Sequence, residues 1–178
     1  MLPESRANWW LELLSADHRP ARGATSLRFE TVVPVGRDDA FAFFANAANL
    51  ERLTPPWLNF RIRTAMPIEM REGALIDYHI AVYGMPLPWR TRIDVWEPGC
   101  RFVDRQVAGP YRWWRHEHRF EPVNGGTRVV DEVEFLPRVS WLSTWLVRRD
   151  VRRIFEFRQR QLGRLLSGDH VKPIILSA

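Results

Sequence analysis

The sequence predicts an α+β domain in which a curved antiparallel sheet closes around a long C-terminal helix. Three observations predict it. Six β-rich stretches follow one another between residues 58 and 135, separated by short turn signals, so chain neighbours are sheet neighbours. Near the C-terminus Val147, Val151, Ile154, Phe155, Leu162 and Leu165 recur at helical spacing. Nine Trp and ten Phe in 178 residues exceed what a small sheet needs for packing and point to a wide interior.

The elements follow in order. Residues 1–26 read as an N-terminal extension with one apolar knot, Trp9-Trp10-Leu11-Glu12-Leu13-Leu14. Leu27 to Val33 alternates and reads as a first strand ended by Pro34. Asp38 or Asp39 is expected to cap a helix through Ala40–Phe44, and a second short helix spans Asn49–Leu53. Thr54-Pro55-Pro56 breaks it, because proline lacks a donor and restricts its predecessor. The six strands are then Leu58–Thr64, Leu75–Tyr83, Trp89–Glu97, Arg101–Ala108, Arg112–Phe120 and Arg128–Phe135. Their turn signals are Glu72-Gly73, Pro86-Leu87-Pro88, Pro98-Gly99, Gly109-Pro110 and Asn124-Gly125-Gly126. The last helix runs from Ser140 to Leu166, about seven turns or on the order of 40 Å, with Gly168 as its stop and 168–178 as a tail. A helix that long with a wide apolar face needs a large apolar partner, and the concave face of the sheet is the candidate. The chain thus divides into 1–26, a ligand-binding domain at 27–167, and the tail.

Composition excludes several classes. No run approaches the ~20 apolar residues of a membrane span, and the N-terminus lacks a secretory pattern. The single Cys100 makes no internal disulfide and fits a reducing cytoplasm. The net charge is +5, yet the Arg residues are spread along the chain among 21 acids. The Arg-rich helix face (Arg148, Arg149, Arg152, Arg153, Arg160) lacks the interleaved aromatics of a stacking platform, so no nucleic-acid partner is expected.

The segments Asn49–Pro56, Met70–Tyr78, Trp89–Ile93 with Trp96-Glu97-Pro98, Phe102–Gln106, Gly109–His118, Gly125–Asp131 and Ile154–Arg158 carry a family resemblance. Over about residues 27–166 the chain resembles the START-like, or SRPBCC, superfamily with its helix-grip fold. Within it the chain looks like a bacterial branch described as cell-division-inhibitor-like or fused to sugar-nucleotide epimerases. The resemblance implies a seven-stranded sheet around the long helix, two short helices after the first strand, and a cavity for a hydrophobic or amphipathic small molecule. It does not imply an enzyme.

Strand alternation selects the residues that face this cavity. Charged sets belong outside, which turns Phe102, Asp104 and Gln106 inward, then Trp114, His116, His118 and Phe120, then Thr127, Val129, Asp131, Val133 and Phe135. Earlier strands contribute Phe60, Ile62 and Thr64, then Ile76, Tyr78, Ile80 and Val82, then Trp89, Thr91, Ile93 and Val95. Tyr111 at its hairpin turn is placed at the cavity mouth. The candidate ligand-binding set is Tyr78, Trp89, Asp104, Gln106, Tyr111, Trp114, His116, His118 and Asp131.

Asp104, Gln106, His116, His118 and Asp131 form a polar cluster on an otherwise apolar face. Unpartnered polar burial costs roughly 2–7 kcal/mol per group, so these five need each other, water or a ligand. The cluster reads as an internal network, as a head-group site, or as catalytic machinery with His116 or His118 as base and Asp104 or Asp131 orienting it. His116-x-His118 has chelate spacing, but a zinc site needs further ligands, so neither metal nor cofactor is expected. The leading expectation is non-catalytic binding or transport of a lipid-, quinone- or polyketide-like molecule. One alternative is a cyclase- or lyase-type cavity enzyme. Another is an interaction module in which the Trp9-Trp10 knot and the basic helix face dock a protein or a membrane surface.

Overall fold

The computed structural model describes residues 21–138 and 141–167. The Trp9-Trp10 knot, the helix start at Ser140, the stop at Gly168 and the tail lie outside the described residues. Seven strands form one antiparallel sheet: β1 (Thr25–Val33), β2 (Arg61–Ile62), β3 (Leu75–Val82), β4 (Met85–Glu97), β5 (Arg101–Ala108), β6 (Tyr111–Val123) and β7 (Gly126–Pro137). Helices α1 (Arg37–Ala45) and α2 (Ala48–Leu53) follow β1, and α3 (Trp141–Ser167) closes the fold. The spatial order is β1-β7-β6-β5-β4-β3-β2, so the first strand pairs with the last along its whole length, from Thr25 opposite Phe135 to Val33 opposite Thr127. Among the described residues no helix is long and apolar enough to cross a membrane.

The predicted architecture holds, with local corrections. The expected strand Leu58–Thr64 shrinks to Arg61–Ile62 because Pro56–Leu58 coils into a 3-10 turn and Asn59 takes a left-handed conformation. Strand β4 begins at Met85, four residues before the expected Trp89. The β3–β4 turn is Tyr83-Gly84, both at positive φ (51° and 80°), and Pro86-Leu87-Pro88 lie within the strand. Strand β5 ends at Ala108 opposite Arg90, so the start of β4 has no neighbour on that side. Prolines at alternate positions place both missing donors toward one edge, which is where a strand tolerates them. Helix α1 starts from Gly36 with no side-chain cap; Asp38 and Asp39 sit in its first turn, where carboxylates favour the positive end of the helix dipole.

Two bulges reset the strand phase. The β4–β5 register shifts between Ile93 and Val95, so Val95 pairs with Val103 on the outer face and Trp96 turns inward against Phe41 and Phe102. The expected inward Val95 is thereby corrected: one inserted residue reverses the alternation. The outer face carries Arg–carboxylate pairs, among them Arg105 to Asp94 at 2.5 Å and Arg115 to Glu117 at 2.7 Å.

The core falls into two apolar halves. One joins Phe41, Phe44, Ile93, Phe102, Phe120, Val129 and Leu162; the other joins Leu27, Phe29, Val133, Phe135, Val151 and Phe155. Each inward strand passes from one half to the other through a polar residue. On β6 this is His118 and His116, on β7 Asp131, and on α3 Arg158 between Phe155 and Leu162. A polar belt therefore crosses the middle of the sheet–helix interface.

Candidate ligand-binding site

Tyr78, Trp89, Asp104, Tyr111, Trp114, His116 and His118 line one cavity of about 750 Å³. Strands β3 to β6 form one wall. Val147, Val151, Ile154 and Phe155 of α3 form the opposite one, and Leu50, Leu53 and Leu58 close a side. Trp57, half exposed, lies edge-on to Phe157 at 5.5 Å with the Arg153 guanidinium 5.8 Å from its ring.

One corner is aromatic. Tyr78 stacks on Trp89 at 5.8 Å, and Trp114 stands perpendicular to Trp89 at 5.1 Å. Tyr111 completes the corner 4.9 Å from Trp114, because a register shift between Tyr111 and Trp113 puts it on the same face. The polar tips of Tyr78 and Trp89 are engaged internally. Trp89 Nε1 donates to Thr91 Oγ1 at 3.0 Å, and the Tyr78 hydroxyl shares that oxygen at 3.1 Å. What these two offer a guest is therefore ring face. Burial raises both the Tyr78 and Tyr111 hydroxyls above the ordinary phenol range, so both stay protonated.

The second corner is the polar belt. A carboxylate only accepts, so the imidazoles donate. His116 Nε2 donates to Asp131 Oδ1 at 3.0 Å, and His118 Nε2 donates to Asp104 Oδ2 at 3.2 Å. The remaining ring nitrogens also face carboxylates: His116 Nδ1 lies 3.3 Å from Asp104 Oδ2, and His118 Nδ1 lies 2.8 Å from Asp131 Oδ1. The last contact is close but lacks hydrogen-bond alignment, leaving His118 Nδ1 without a bonded partner. The two rings sit 3.8 Å apart, and Phe102 stacks on His118 at 4.1 Å.

Electrostatics divides the two histidines. Burial alone pulls His116 down, but its bonds to Asp104 and Asp131 outweigh burial and hold it above the ordinary value. Burial and then the charge on His116 depress His118. Burial pushes both carboxyls up and is overcome, at Asp104 by the two histidines and at Asp131 by Arg158 and the histidines. Both carboxyls stay ionised, and the positive charge of the imidazole pair rests on His116.

Arg158 is the functional side chain that sequence reasoning missed. It is buried, its Nε lies 3.4 Å from Asp131 Oδ2, and its guanidinium covers the Phe44 ring at 5.1 Å. Its signal was present: it falls between Phe155 and Leu162 on the apolar stripe of α3, where an arginine needs a partner. Two predicted residues sit elsewhere. Asp131 lies behind the histidines, away from the cavity lining. Gln106 ties the β5–β6 hairpin instead, donating from Nε2 to the Tyr111 carbonyl at 2.8 Å and accepting from the Tyr111 N–H at 3.3 Å. The turn residue Gly109 keeps that amide in place, since a Cβ there would overlap it.

Solved structures share this fold. Protein CV1439 from Chromobacterium violaceum superposes with a TM-score of 0.65 at 15% identity, covering 81% of this chain and 98% of that one. The Zhui aromatase/cyclase from Streptomyces sp. R1128 gives 0.57 at 17% identity, over 83% and 99%. A nucleoside-diphosphate sugar epimerase from Corynebacterium glutamicum gives 0.58 at 25% identity, over 76% of this chain and 28% of the other. These likenesses bear out the expected helix-grip fold. No curated protein matches the chain. Residues 56–166, spanning the cavity strands and nearly all of α3, match the family described as a domain of unknown function, DUF8410, and the chain belongs to that family.

Proposed function

We propose that the domain binds an amphipathic small molecule without transforming it, holding the apolar body against the aromatic corner and the polar end at Asp104, His116 and His118. The observation that carries this reading is the pairing of a cavity of about 750 Å³ with a charged cluster on one part of its wall. That volume suits a ligand of lipid, quinone or polyketide size. Native mass spectrometry after gentle purification tests it: a co-purifying apolar ligand is expected. A chain that carries none and takes up no apolar probe overturns it.

A second reading is supported by the two histidine–carboxylate pairs, one of which, His118 with Asp104, faces the cavity. In it the domain is a cyclase- or lyase-type enzyme in which an imidazole moves a proton. The solved neighbour described as an aromatase/cyclase is a precedent for chemistry on this fold. Turnover in a metabolite screen that survives both His116→Ala and His118→Ala rules it out.

The epimerase likeness at 25% identity supports placing the chain in the epimerase-associated branch. We assign residues 27–167 to the binding domain and place it in the cytoplasm, with 1–26 and 168–178 as flanks. If deleting residues 1–26 leaves liposome and pull-down binding unchanged, the docking role of the Trp9-Trp10 knot is excluded.

A further inference from the structure

We propose that Asp104, His116 and His118 form a site for a first-row divalent cation of the Zn²⁺ kind, open to the cavity, with Asp131 as its outer carboxylate. The His116-x-His118 spacing alone supports no metal. The fold changes this by bringing Asp104 from β5 to the same point, where one ligand atom from each of the three lies within 4.8 Å of the others.

The two distances from the carboxylate are those of a ligand set. Bonds of about 2.0–2.1 Å place tetrahedral donors about 3.3 Å apart. Asp104 Oδ2 lies 3.3 Å from His116 Nδ1 and 3.2 Å from His118 Nε2. The outer shell is also in place. A metal-bound histidine donates its other N–H, commonly to a carboxylate. The other nitrogens, His116 Nε2 and His118 Nδ1, both face Asp131 Oδ1, at 3.0 and 2.8 Å. Arg158 holds the far oxygen of Asp131.

Donor counting favours an ion over the metal-free network. Four imidazole nitrogens each face a carboxylate oxygen within 3.3 Å. With the charge of the pair on His116, the two rings carry three N–H groups for these four contacts, and one lone pair, at the unbonded His118 Nδ1, is left against a carboxylate. An ion bound to His116 Nδ1 and His118 Nε2 displaces one proton from the pair and leaves one N–H on each ring, both facing Asp131 Oδ1. The metal-bound tautomer of His118 turns its unbonded Nδ1 into a donor.

Charge then specifies what the ion would take from the cavity. With both histidines neutral, as metal ligands must be, two carboxylates and one guanidinium leave a single negative charge. A divalent ion makes the set singly positive, and one anionic oxygen restores neutrality. Asp104, His116 and His118 line the cavity and Asp131 does not, so the open position faces the guest. This refines the proposed function: the polar end of the guest would be a carboxylate, enolate or phenolate oxygen.

The test uses the full chain, stripped of metal and titrated with Co²⁺, and needs no apolar ligand, so its outcome is independent of the binding reading. One ion per chain with the visible bands of tetrahedral Co²⁺, displaced by Zn²⁺, is expected. Asp104→Asn and His118→Gln should each weaken binding at least 100-fold, and Asp131→Asn about 10- to 100-fold. No bound ion, or affinity untouched by Asp104→Asn and His118→Gln, overturns the site. Because a variant in this buried belt can fail to fold, the unaltered protein supplies a second reading. Zn²⁺ should shift the ¹⁵N resonances of His116 Nδ1 and His118 Nε2, and unmoved resonances overturn the proposal.

Discussion

Arg158 and Asp131 depend on each other. Both are buried, and the Arg158 guanidinium is the largest of the charges that, with the two histidines, keep Asp131 ionised against burial. Arg158→Met keeps the packing length and removes the charge, leaving a buried carboxylate undercompensated. Urea denaturation should show a loss of about 3 kcal/mol. Adding Asp131→Asn should recover part of it, because the stranded charge goes too. Gln106 makes the contrasting case. Its amide meets only the hairpin backbone, so Gln106→Ala should cost about 1 kcal/mol while apolar-probe affinity stays unchanged. A fall in affinity at full stability would return Gln106 to the binding site.

At the scale of the element, strands and their bulges decide which side chains meet. Gly126 opens β7 at a φ of 149° with its Cα against the Val33 carbonyl, where a Cβ has no room. Gly126→Ala should therefore cost more than about 2 kcal/mol by thermal or urea unfolding, by parting the corner where β1 meets β7. Across the β3–β4 ladder, the bidentate Arg90 holds the Asp77 carboxyl below its ordinary value. A carboxyl depressed by folding contributes stability above its unfolded pKa and loses it as pH falls through the folded value. Arg90→Gln should return the Asp77 titration, followed by carboxyl NMR, to the ordinary range. Most of this level was legible in the sequence. Alternation of Arg and Glu with apolar residues on β5, β6 and β7 is strong enough to choose a face, and it placed His116, His118, Asp104 and Asp131 on the inner one. The misses share a cause: they depend on backbone irregularity or on other elements. Val95 follows a bulge at Asp94, and a single Asp in a strand reads as an outward-facing position, not as an inserted residue. Met85 precedes two prolines that read as a turn until the missing neighbour strand is known. The network geometry of the belt needs three strands and a helix together, which no local pattern contains.

For the whole molecule, the cavity and the belt set the function. Ile80 lines the open volume without belonging to either apolar half of the core. Ile80→Trp should fill space while leaving the melting temperature near its parent value, and displacement of an environment-sensitive apolar dye should show at least a tenfold loss of affinity. Unchanged affinity would place the guest elsewhere. Strand order has its own consequence. Since β1 pairs with β7 and packs Leu27 and Phe29 beneath Val151 and Phe155, the first strand of the fold depends on its last two elements. On the ribosome the sheet cannot close until β7 has emerged, so a growing chain holds β1 without its partner while β2 to β6 are made. The stretch shared with the family, 56–166, omits β1 and α1. A protein trimmed to those bounds would expose the bare edge of β7 and one side of α3, and should aggregate instead of folding.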